Sequence, residues 1–175
     1  MNPYLAGAVG GTLGTIPMTA VMEVLFRRLP SNLRYPLPPR EVTMAVAHRA
    51  GLSRQMSEQA PAGTSLAAHF GYGLLTDALY PLTIRRRPRH PLLHGSLYGL
   101  IVWALSYFGW IPAFRLLTNP LRHPPPRRRL MIAAHLVWGA ALALVTFRLV
   151  EAEPSPLLRG FHDRRRRETA RPLPG

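Results

Sequence analysis

The sequence contains no cysteine, and its 22 basic residues, all arginine, face only 8 acidic ones. Without cysteine, disulfides and thiolate metal sites are excluded. There is also no HExxH, GxSxG, Walker-type phosphate loop or CxxC, so the usual signatures of zinc peptidases, serine hydrolases, P-loop enzymes and dithiol oxidoreductases are missing. No nucleophile is paired with a recognisable base, and the chain is expected not to be an enzyme. The formal charge of +14 is of a size often seen in nucleic-acid-binding proteins. That reading would require nearly half the chain to hide in one soluble core with few amphipathic polar faces. No nucleic-acid partner is therefore expected.

What the chain does have is four long apolar runs, Leu5–Phe26, Leu66–Ile84, Leu92–Phe114 and Leu130–Val150. Each is about 20 residues, the length a helix needs to cross a hydrocarbon core of about 30 Å. The mean hydropathy of the chain, +0.03, conceals this because the arginines lie between the runs. Only Arg148 falls inside one, near its end, where a long side chain can snorkel to the interface. The expected fold is all-α: a polytopic membrane protein, with an antiparallel bundle of four transmembrane helices over 1–150 and an arginine-rich, disordered tail over 151–175. No arginine precedes Arg27, and the first run is long, so it is read as a retained helix and not a cleaved signal peptide.

The first run follows Asn2-Pro3, a helix-start signal. Gly7 and Gly11, and Gly10 and Gly14, have the GxxxG spacing that lets helices approach closely in lipid. Pro17 is expected to kink this helix and free a carbonyl one turn earlier. The first loop holds Tyr35-Pro-Leu-Pro-Pro-Arg40, a proline-stiffened stretch, and then a short helix over Glu41–Gly51 with Val42, Ala45, Val46 and Ala50 on a weak apolar face. That helix is placed on the membrane surface or against the bundle, with an ordinary solvated loop helix as the equal alternative. Trp110 fits an interfacial belt, and Trp103 a packing position. The arginine runs, including Arg127–Arg129, are read as anchors to anionic lipid headgroups. The loops after the first and third runs carry eleven arginines and the other face ten. Arginine density tips the balance towards both termini being cytoplasmic.

Ionisable residues inside spans are costly and mark candidate sites. Thr12, Thr15, Thr19 and Glu23 share one face of the first helix at about 100° per residue. His69, Gly73, Thr76 and Tyr80 share a face of the second, with Asp77 at its edge. Gly95, Gly99, Ser106 and Gly109 form a small-residue stripe on the third, and His135, Gly139, Leu142 and Thr146 align on the fourth. Alternating helix direction puts Glu23, His69 and His135 at one membrane level, facing the long loop. One carboxylate and two imidazoles suit a divalent metal or a proton relay. Asp77 and His94 lie nearer the opposite face, where they could pair. Against these readings, helix-end histidines often bond only a carbonyl, and Glu23 stands four residues before Arg27, the spacing of a helical ion pair.

Three segments, Tyr35-Pro-Leu-Pro-Pro-Arg40, Ala68-His69-Phe70 and Ala134-His135-Leu136-Val137-Trp138, resemble those of the YagU-like bacterial inner-membrane proteins. The resemblance runs over about Tyr35–Leu149 and leaves Glu23 outside it. It implies a small multi-pass protein of the bacterial cytoplasmic membrane, with His69 and His135 where the family pattern also has histidine. It supplies no reaction, substrate or cofactor. The expected role is a structural or accessory membrane component whose small-residue faces could meet a membrane-protein partner or a second copy. The alternative is a small transporter, or a proton- or metal-linked membrane protein, using Glu23, His69 and His135.

Overall fold

The computed structural model describes residues 1–51, 60–84, 88–116 and 123–151. The tail beyond Glu151 and the Arg85–Arg87 run lie outside the described residues. Among the described residues every regular element is helical. Helix α1 spans Pro3–Arg27, α2 Pro38–Arg49 and α3 Ala60–Leu79, the last continuing into a 3-10 turn over Tyr80–Thr83. Helix α4 spans Pro91–Ala113 and contains a π-helical segment over Leu105–Trp110. Helix α5 spans Pro125–Glu151.

Helices α1, α4 and α5 are long and apolar enough to cross a membrane, with 25, 23 and 27 residues. At 1.5 Å per residue each exceeds the roughly 30 Å hydrocarbon thickness. Their starts follow from local chemistry. The Asn2 side chain accepts the Tyr4 N–H at 2.9 Å, and Pro3 sits at the first helical position, where its missing N–H leaves no bond unmade. Helix α5 begins at Pro125-Pro126 for the same reason. It therefore starts five residues before the apolar run and takes Arg127–Arg129 into its first turns instead of leaving them in a preceding loop. The threonines of α1 bond within their own helix: Thr12, Thr15 and Thr19 donate to the carbonyls of Ala8, Gly11 and Thr15. None of these is the Leu13 carbonyl that Pro17 leaves without its donor.

Helix α5 is the hub, packing on both α1 and α4, while α3 packs on α1 and α2 on α3. Close contacts fix the directions. Gly7 meets the Asp77 backbone and Pro81, whereas Thr15 lies beside Gly73, so α1 and α3 run opposite ways. Gly10 meets Thr146 and Gly14 meets Trp138 and Leu142, so α1 and α5 are also antiparallel. Gly95 meets Gly139 while Gly99 meets His135, reversing α4 against α5. The two GxxxG pairs thus divide their work: Gly7 and Gly11 admit α3, and Gly10 and Gly14 admit α5. These glycine faces are occupied within the chain.

Polarity runs outward from polar to apolar. Thr15, Asp77, Ser106, His135 and Thr146 are buried, while Ile16, Leu75, Ile101, Leu105 and Phe108 are exposed. Exposed apolar residues cover the long helices, as expected for helices whose solvent is lipid and whose polar groups must turn inward.

Candidate functional site: a cavity beneath α2

The predicted metal triad does not assemble. The Glu23 carboxylate accepts from Arg27 Nε at 2.7 Å, and both side chains are exposed. Among the described residues no group of three His, Cys, Asp or Glu side chains is placed to hold a metal ion. The reason lies in which face of α1 is buried. Gly7, Gly10, Gly11, Gly14 and Met18 centre the buried face, because small side chains allow backbones to approach. Glu23 is about 160° around the helix from that centre, and only the Thr15 edge of the threonine face reaches the interior.

The predicted Asp77–His94 pair is also absent. His94 Nδ1 lies 3.1 Å from the Tyr80 hydroxyl. Asp77 is fully buried, and neither carboxylate oxygen has a hydrogen-bond partner. Its carboxyl group fills the hollow above Gly11: a Cβ built on Gly11 would stand 1.5 Å from Asp77 Cγ.

His69 and His135, by contrast, are brought together. Both line a cavity of about 370 Å³ and a deeper void of about 20 Å³ that also touches Thr15, Gly73 and Thr76. His135 Nδ1 is 2.8 Å from the Met131 carbonyl oxygen. A carbonyl can only accept, so Nδ1 carries the proton and Nε2 is left as an acceptor. His69 Nε2 is buried without a partner.

Helix α2 roofs the larger cavity with Pro38, Pro39, Val42, Thr43, Val46 and Ala47. Its buried stripe is Pro38, Thr43 and Ala47, displaced from the apolar face expected from the sequence. The π segment of α4 builds another wall. Pro112 has no N–H to give the Phe108 carbonyl, and the turn before it widens. Ser106, Tyr107 and Trp110 line the cavity from this segment, while Gly109 is turned out into open space. Trp110 Nε1 donates to the Tyr72 hydroxyl at 3.3 Å, so Trp110 faces the bundle and not only the interface. The Tyr72 hydroxyl is 2.8 Å from Ser106 Oγ, which itself donates to the Val102 carbonyl at 2.7 Å. The chain of bonds therefore runs Trp110 to Tyr72 to Ser106 to Val102. Tyr107, only 6% exposed, has a hydroxyl with no partner.

Two arginines hold the roof down. Arg127, 2% exposed, donates to the carbonyls of Leu33, Tyr35 and Pro36 at 3.0, 2.7 and 2.6 Å. Its guanidinium carbon lies 3.5 Å from the centre of the Tyr35 ring, and Glu41 is 3.8 Å away. Arg49 donates to the carbonyls of Phe114 and Arg115, the first contact very short and the second 2.9 Å, at the end of α4. Arg115 there is left-handed, φ 52°, a conformation usual for glycine after a helix. The sequence reading assigned Arg127 to lipid headgroups and gave Arg49 no role. A signal was nevertheless present: Pro36, Pro38 and Pro39 remove backbone donors from the loop, so its carbonyls need donors from elsewhere, and arginine carries five.

Compared with family models, curated proteins and solved structures, the chain matches none.

Proposed function

We propose that the chain is a multi-pass protein of the bacterial cytoplasmic membrane that acts without catalysis, as an accessory component. In this reading α3 is the fourth span of an antiparallel bundle, α2 lies at the membrane surface as a roof, and both termini are cytoplasmic. The observation that carries it is the orientation of α3. Its Asp77 is sealed inside, while Leu74, Leu75 and Leu79, followed by Leu82 in the next turn, are 48%, 65%, 49% and 62% exposed. A helix so arranged suits lipid on its outer face as well as α1, α4 and α5 do. The YagU-like resemblance agrees with this location.

An accessory role is favoured over a conduit by the narrow interior among the described residues. The void between the two histidines and Thr15 holds about 20 Å³, space for about one water. Beyond it the Asp77 carboxyl is wedged against Gly11. Reporter fusions at residue 1 and residue 175 test the topology. Four spans require the same signal from both ends, and the arginine density makes the cytoplasmic one expected. Opposite signals at the two ends would remove α3 from the set of spans.

A further inference from the structure

The cavity beneath α2 combines features that together specify a ligand. Its volume, about 370 Å³, is near the small end of ligand pockets. That is room for one or two fused rings and not for a whole lipid. In a chain of charge +14, no arginine, aspartate or glutamate among the described residues lines this cavity. A phosphate or carboxylate inside would lack a counter-ion and bear the full cost of desolvation. The described lining therefore suits an uncharged occupant.

The walls then define its polarity. Tyr72 and Trp110, with ring centres 5.5 Å apart, and Tyr107 give an aromatic lining suited to a flat ring. The polar groups of Trp110, Tyr72 and Ser106 already bond one another. Two buried ones have no partner, the Tyr107 hydroxyl on α4 and His69 Nε2 on α3, and the His135 Nε2 acceptor belongs to the same lining. Unmet buried groups of this kind are destabilising until a partner arrives. The Tyr107 and His69 groups stand on different walls and are closed to water in the empty cavity, so a ring with an oxygen at each end would bond both once each side chain turns towards it. The exposed rim, Val46, Ala50 and Ala68, is uncharged, which suits entry of an apolar molecule.

We propose that this cavity binds an uncharged, lipid-soluble ring bearing two carbonyl or hydroxyl oxygens, the quinone–quinol class, with Tyr107 and His69 each bonding one oxygen. The inference deepens the membrane reading above and draws on it for the supply of a lipid-soluble ligand. No electron transfer is part of it.

The test uses the full chain in detergent with 2-methyl-1,4-naphthoquinone as the probe. The absence of cysteine leaves the quinone no thiol to alkylate. Binding is read twice, by quenching of tryptophan fluorescence and by the rise in melting temperature. Saturable quenching that is reduced in Trp110→Phe is expected, with Trp103 beside Tyr107 and Trp138 beside His135 supplying the rest, together with a rise in melting temperature. Tyr107→Phe removes a hydroxyl that bonds nothing in the fold, so its unliganded melting temperature should not fall. Its affinity should drop about tenfold, one hydrogen bond's worth, and that of His69→Ala similarly. Naphthalene, with the same rings and no oxygens, should bind at least about tenfold more weakly.

Equal binding of naphthalene and the quinone would overturn the proposal, because the cavity would then be a mere apolar hole. Quenching that never saturates, or affinity unchanged in both Tyr107→Phe and His69→Ala, would do the same. Saturable binding by a chain that is monodisperse without detergent would keep the site and sink the membrane reading. Failure to bind by a chain that stays in the membrane would sink the site alone.

Discussion

Alanine in place of Gly139 is expected to force α4 and α5 apart and to cost about 3 kcal/mol or more of stability, the upper end for overpacking. The added Cβ would stand 2.0 Å from the Gly95 carbonyl oxygen and 3.0 Å from the Gly99 nitrogen. Both obstacles are backbone, so no rotamer change relieves them. The contact is reciprocal, since a Cβ on Gly95 would stand 2.1 Å from the Gly139 oxygen. Gly71→Ala is the matched control, because nothing lies within 4 Å of the Cβ it would gain. There the higher helix propensity of alanine should be neutral or worth up to about 1 kcal/mol. Gly11 is the instructive intermediate, since its obstacle is the Asp77 side chain. Gly11→Ala should destabilise, and Asp77→Ala in the same chain should restore much of the loss. Detergent melts of these variants check the whole set. Equal melting temperatures for Gly139→Ala and Gly71→Ala, or additive losses in the Gly11/Asp77 double variant, would contradict the packing described above.

Removing Arg127 is expected to release the roof of the cavity. Arg127→Ala leaves the Leu33, Tyr35 and Pro36 carbonyls without their donors, and Tyr35 without the cation on its ring. Loss of one member of a buried polar cluster costs about 3–5 kcal/mol. The prolines of this loop have no N–H with which to compensate. The expected readouts are a lower melting temperature and rapid proteolysis within the first loop, around Arg34 and Arg40, in a chain whose long helices still form. Lysine should restore little, because it has neither the planar face that lies on Tyr35 nor the fork that reaches three carbonyls. If Arg127→Ala melts and resists protease like the parent chain, the guanidinium is not what holds the loop. A lipid-anchor role, by contrast, predicts that Arg128→Ala and Arg129→Ala act like Arg127→Ala.

The sequence made the long helices legible because length and hydropathy are local properties. The starts of α1 and α4 fall within two residues of their apolar runs, and α5 was misjudged only where prolines and arginines carry a helix past its apolar stretch. The pairing of small residues was legible too, although not their division between α3 and α5. The site was harder to read. His69 and His135 share the cavity, as their common level suggested. The polar face of α1 predicts an inward Glu23, whereas the glycine face decides which way α1 turns. Asp77 and His94 were paired from depth alone, but depth says nothing about azimuth, and Tyr80 takes the His94 bond. The π segment and the Arg127 clamp were hidden for another reason. Each depends on a partner distant in sequence, with Arg127 reaching back over ninety residues to the loop it holds.

The account rests most heavily on lipid being the solvent of α1, α4 and α5, and alkaline carbonate extraction of membranes from cells expressing the chain tests this directly. The chain should stay with the pelleted membranes and enter solution only with detergent. Release into the supernatant as a monodisperse species in plain buffer would contradict it, since Ile16, Ile101 and Leu144 would then have to face water.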